Sequence, residues 1–107
     1  MANNYKNAKV DLTTTNATTL YTAPSATITL IKSILVSEDS GNADTITVTI
    51  TDASAAVFSL FKVKAIGANT TVELLTQPLI VQEDEIIKVT AATANRLHVV
   101  ASLLEIT

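Results

Sequence analysis

A chain of 107 residues, 48% hydrophobic but only 4% aromatic, has material for one aliphatic core and not two. Seven basic against ten acidic residues leave a net charge of −3, which excludes the basic footprint of a nucleic-acid binder and the polybasic run that anchors to anionic lipid. Cysteine is absent, so disulfides and thiolate metal sites are excluded, and no apolar run approaches the ~20 residues that span a bilayer.

Met1–Lys9 is polar, rich in Asn and without a strong period. It reads as an N-terminal arm rather than a secretory signal, ordered only where something holds it. Residues 10–107 read as a single β-sandwich domain. Val10 and Leu12 suggest a short first strand, and Ala17–Thr22 a second with Thr18, Leu20 and Thr22 on one side. Pro24 lacks an N–H donor and marks a strand end or turn.

Thr27–Ser37 is the longest apolar stretch. Ile28, Leu30, Ile34 and Val36 share one parity, while Ile31 and Leu35 fall on the other. Either both faces are covered or a bulge shifts the register near Lys32. Ser40-Gly41-Asn42 signals a turn. Thr45–Thr51 then alternates Thr with Ile46, Val48 and Ile50 in a strict period of two. All seven residues are β-branched, so one strand face is aliphatic and the other hydroxylated.

After a turn at Asp52-Ala53-Ser54, Val57–Ile66 is again dense and apolar. Val57, Phe61 and Val63 share one side, and Phe58 and Leu60 the other. A helix competes, through Val57, Leu60, Phe61 and Lys64. Gly67-Ala68-Asn69 turns into a strand over Thr70–Leu75, Pro78 punctuates, and Leu79–Val81 is a short strand. Gln82–Glu85 is an acidic turn before the alternation of Ile87, Val89 and Ala91. Asn95 precedes Leu97–Ile106, where Leu97, Val99, Ala101 and Leu103 share a parity and a helix is the rival. Turns every 8–12 residues favour strands throughout: about eight to nine short strands in an all-β antiparallel sandwich or jelly-roll-like fold.

Few residues offer chemistry. His98 is the sole histidine, but no Gly-x-Ser-x-Gly elbow accompanies it, and a solvent-facing strand histidine is the plainer reading. Glu83-Asp84-Glu85 and the group of Glu38, Asp39 and Asp44 could offer oxygens to Ca²⁺, but neither has calcium-loop spacing. Tyr5 and Tyr21 could stack on a host-surface glycan. Phe58 and Leu60 are surplus to a single core, so they either lie under a loop or form a contact between subunits. No enzyme activity, cofactor or metal is expected.

The chain resembles a group of small virion structural proteins of marine and cyanobacterial tailed bacteriophages. The resemblance is carried by Tyr5-Lys6-Asn7-Ala8, Leu12-Thr13-Thr14-Thr15, Thr19-Leu20-Tyr21-Thr22-Ala23-Pro24 and Ile31-Lys32-Ser33-Ile34. It continues through Thr71-Val72-Glu73-Leu74-Leu75, Pro78-Leu79-Ile80-Val81 and Leu103-Leu104-Glu105-Ile106. The chain departs from the group at Gln82-Glu83-Asp84-Glu85, where similar members carry a Gly-Asp turn. These motifs are strand edges and turn punctuation and transfer no catalytic role. The resemblance implies a particle component made in the host cytoplasm. The expected role is a capsid decoration (cement) protein on the outer surface of the head, partnered by the major capsid protein. A homo-oligomer, a trimer first, is expected, with Phe58, Leu60, Tyr5, Lys6 and Lys9 at oligomer or capsid contacts. The alternative is a tail or tail-fibre module that contacts the host surface.

Overall fold

A computed structural model describes residues 2–107. Its elements are nine strands: β1 (Asn3–Asp11), β2 (Thr18–Thr22), β3 (Ile28–Glu38), β4 (Asp44–Thr51), β5 (Val57–Ile66), β6 (Thr71–Glu73), β7 (Leu79–Val81), β8 (Ile86–Ala91) and β9 (Leu97–Ile106). They form two antiparallel sheets. The front sheet runs β1-β9-β3-β6, with β7 also paired to β3; the back sheet runs β2-β8-β4-β5. β6 and β7 pair with opposite halves of β3, so they act as one strand position interrupted around Pro78. The chain thus crosses repeatedly between two four-position sheets, which is the jelly-roll arrangement.

The rival helices over Val57–Lys64 and Leu97–Leu104 do not form, because both segments are held in ladders with β4 and with β1 and β3. The alternation in β4 does what its period requires. Ile46 and Val48 are fully buried, and Thr47 pairs outward with Thr90. Ile87, Val89 and Ala91 of β8 and Leu97, Val99, Ala101 and Leu103 of β9 complete the aliphatic core between the sheets.

Bulges in three strands explain where simple parity fails. In β3 the register shifts between Ile31 and Ser33, so Thr29 and Ile31 face inward before it and Ile34 and Val36 after it. In β2 a shift between Thr19 and Tyr21 turns both Leu20 and Tyr21 inward and Thr22 outward, which corrects the expected grouping of Thr18, Leu20 and Thr22. In β5 the ladder slips around Val48, and Val63 takes a left-handed φ of 52°. A β-branched residue there is strained, and its N–H is satisfied by Thr47 Oγ1 at 3.1 Å.

The expected N-terminal arm differs from the structure. Met1 lies outside the described residues, but Asn3–Asp11 is an edge strand paired with β9 from Asn3–Ile106 to Asp11–His98. Its polarity has a physical reason. As an edge strand it buries little, and only Ala8 and Val10 pack against the core. Lys6 instead reaches inward to Glu105 Oε1 at 2.9 Å.

Candidate functional site

The register rows show what each sheet presents to solvent. On the back sheet the outward side chains of β4 are Thr45, Thr47, Thr49 and Thr51, beside Lys88 and Thr90 of β8 and Thr19 of β2. That face is mostly hydroxyls with one ammonium, and Ile86 and Val57 join it beside Thr51 at one end. The front sheet differs. Tyr5, Leu104, Leu30 and Ile80 are register neighbours in one row across β1, β9, β3 and β7. Ile106 and Ile28 form the next row. Tyr5 is 75% exposed, Ile80 59% and Ile28 54%, while Leu104 is covered by the side chains around it. The Lys32 ammonium stands 5.6 Å from the Tyr5 ring centroid, a cation–π contact. Farther along, Lys9, Val100, Leu35 and Glu73 form another outward row.

A second apolar surface runs along β5, the edge of the back sheet. Val57, Phe58 and Val63 are all more than half exposed. Phe58 pairs with Ile50 and so lies on the core side of its sheet, but beyond the cover of the front sheet. Leu60 and Phe61 turn toward the β6–β7 link, where they line a groove of about 300 Å³ with Leu74, Leu75, Pro78 and Leu79. Every large apolar side chain exposed among the described residues belongs to one of these two surfaces.

The residues expected at contacts therefore separate. Tyr5 and Lys9 point outward from the front sheet, Phe58 lies on the β5 edge, Leu60 packs against the core, and Lys6 is tied to Glu105. Tyr5 and Tyr21 do not combine into a stacking platform. Tyr21 faces the interior, where its hydroxyl donates to Glu105 Oε2 at 2.5 Å and lies 2.7 Å from Thr29 Oγ1. Burial, with the adjoining Glu105 carboxylate, pushes the Tyr21 phenol up to about 12. The bonds from Tyr21 and Lys6 hold the Glu105 carboxyl below its ordinary range despite burial. This network joins both sheets and fixes β1 at its end.

Of the acidic residues weighed as calcium ligands, all but Asp39 accept hydrogen bonds in turns and loops. The Glu38 side chain is buried and accepts from Ser40 N and Oγ, Gly41 N and Asn69 N, tying the β3–β4 and β5–β6 loops together. Desolvation acts to raise its pKa, but these bonds override it and hold the carboxyl at about 2. Asp44 accepts from Thr45 N and Thr93 N. Glu83, Asp84 and Glu85 accept from Ala26 N, Ser25 Oγ and Gln82 N. The chain has only two glycines, and among the described residues six non-glycine residues take positive φ. Carboxylates that receive loop N–H groups hold several of these turns closed.

His98 is half exposed on the outer front face, with Nε2 at 3.2 Å from Asp11 Oδ1 and Nδ1 at 3.5 Å from Asp39 Oδ2. It joins the end of β1 to the loop after β3. The bulge near Lys32 was one of the two readings drawn from the sequence, and the shift between Ile31 and Ser33 bears it out, but the bulges of β2 and β5, the outward apolar rows and the capping role of Glu38 were not found by sequence reasoning. The excess parity of Thr27–Ser37 was their one available signal. No protein-family model matches the chain, and a search of curated proteins finds no relative.

Proposed function

We propose that this protein is a bacteriophage virion structural protein, a capsid decoration protein that binds the major capsid protein on the outer surface of the head. The observation that carries this reading is the β5 edge. Val57, Phe58 and Val63 are exposed on a strand with no neighbour on one side, and such an edge offers main-chain groups and apolar side chains to an adjoining protein. The half carrying Lys62 and Lys64 is bulged and charged, which discourages indiscriminate strand addition. The segment from Val57 to Ser59, in unbroken register with Thr51 to Thr49, is not. The resemblance of the chain to phage particle proteins supplies the identity of the partner. A jelly roll alone does not, because that fold hosts many functions.

The test mixes purified protein with heads that lack it and quantifies what sediments with them. The wild type should bind, and Phe58→Ser combined with Val57→Ser should bind at least tenfold more weakly while keeping its sheet spectrum. Binding to isolated tails and not to heads would replace this reading with a tail module that contacts the host surface. Deleting residues 1–9 is not a clean test of attachment, since it removes most of β1 from its ladder with β9.

A further inference from the structure

We infer that the outer face of the front sheet is a pairing surface for a second copy of this chain, joined about a twofold axis parallel to the strands. This inference is independent of the capsid reading, which concerns the β5 edge.

The first support is charge. A twofold axis along the strands keeps each register row opposite itself and exchanges the sheet edges, so β1 of one copy faces β6 and β7 of the other. Within the row that runs from Lys9 through Val100 and Leu35 to Glu73, Lys9 then stands opposite the partner's Glu73 and Glu73 opposite the partner's Lys9, with the Glu73 carboxylate already accepting from Ser33 Oγ, Ile34 N and Leu75 N within its own chain. Val100 meets the partner's Leu35. In the row that holds Tyr5 and Ile80, Tyr5 meets the partner's Ile80 and Leu104 meets the partner's Leu30. Apolar groups thus meet apolar groups, the polar row of Asn7, Ser102 and Ser33 between them meets itself, the Lys32 ammonium stays over the Tyr5 ring, and Lys9 and Glu73 stand opposite each other twice, as an isologous contact demands. The other in-plane twofold axis, across the strands, exchanges the ends instead. It would set the Ile106 and Ile28 row toward Asp11, His98 and Ser37, and the match is lost.

The second support is area. The eleven residues of β3 at about 3.4 Å each, across four strand positions about 4.8 Å apart, give a face on the order of 700 Å². A stable interface buries about 800 Å² per partner. Sheets that pack face to face through apolar side chains are a stable arrangement. The hydroxylated face of the back sheet has no such apolar rows.

The test uses full-length protein and two exposed positions that should meet only across the dimer. Sedimentation equilibrium of the wild type should give a dimer with Kd on the order of micromolar. Tyr5→Lys alone and Ile80→Glu alone should each raise Kd at least tenfold, with unchanged circular dichroism and melting. Mixed in equal amounts, the two variants should associate with close to wild-type affinity. In the mixed dimer the introduced lysine faces the introduced glutamate, while the second contact remains native. Tyr5→Glu mixed with Ile80→Lys reads the same contact with reversed charge and must recover equally. A wild type that stays monomeric at about 100 μM, a closed trimer, or mixtures no tighter than either variant alone would overturn the inference.

Discussion

The two sheets of this jelly roll share one core and present opposite chemistry to the outside. On the back sheet, strict alternation places Ile46 and Val48 inside and the threonines of β4 outside. A hydroxyl that faces water keeps its hydrogen bonds, so this face is satisfied without a partner. On the front sheet, β3 and β9 carry aliphatic residues on both parities. The β3 bulge brings Ile34 and Val36 inward after Thr29 and Ile31, but Ile28, Leu30 and Leu35 remain outward. Outward aliphatic rows, here on both sides of the polar row of Asn7, Ser102 and Ser33, mark a contact site on a small monomer. The large exposed apolar residues of this chain are thus grouped rather than scattered, on the front face and the β5 edge, and on the back face only Ile86 and Val57 interrupt the hydroxyls, at the Thr51 end.

The largest effect should come from crossing the back sheet. Val48→Asp or Ile46→Asp places an uncompensated carboxylate in the core and should cost more than about 4 kcal/mol, enough to unfold a domain of ordinary stability. Thr47→Asp, one residue away, should stay within about 1 kcal/mol. Thermal melts of the three variants would sharpen the inside–outside contrast, and equal losses would break it.

Acid should act next, at the front sheet's end. The Glu38 carboxyl is lowered from an ordinary 4.5 to about 2 in the folded protein. A depressed carboxylate contributes stability that is fully present above the unfolded value and is lost as pH falls through the folded one. Melting temperature should therefore decline between about pH 4.5 and pH 2. Glu38→Gln should melt lower at neutral pH and show a shallower decline in that window. An identical acid profile in wild type and variant would remove Glu38 as the loop clamp.

A smaller effect, of opposite sign, is expected away from both faces. Ala55 sits at φ 68° in the turn after β4, a region that costs an L-residue roughly 1–2 kcal/mol and glycine little. Ala55→Gly should stabilise by about 0.5–1 kcal/mol, measured by urea denaturation. The smallest change in stability belongs to the exposed surfaces themselves. Phe58→Ser and Ile80→Glu should each shift unfolding by less than about 0.5 kcal/mol, while changing what the protein associates with.

Much of the architecture was legible because alternation is a local property. β4, β8 and β9 announce their faces through Ile46 and Val48, Ile87 and Val89, Leu97 and Val99. β1 was not legible. Its alternation is between polar residues, since an edge strand has little core to face, and Tyr5 and Lys9 look like those of a mobile segment. The turns are held by Glu38, Asp44 and Glu83, which belong to different loops from some of the N–H groups they receive, so no sequence window contains both partners. The front-face rows were hidden for the same reason. Tyr5, Leu30, Ile80 and Leu104 become neighbours only once β1, β9, β3 and β7 are in register.

If the front face pairs with a second copy, the two outer faces must differ in use, the front covered and the back open to solvent. Hydroxyl-radical footprinting read by mass spectrometry, on dilute and on concentrated full-length protein, tests it most directly. Reactivity at Tyr5, Ile28 and Ile80 should fall as concentration rises, while Phe58 on the β5 edge and the threonines of β4 stay unchanged. Reactivity that is independent of concentration at Tyr5, Ile28 and Ile80, or protection at Phe58 in their place, would contradict it.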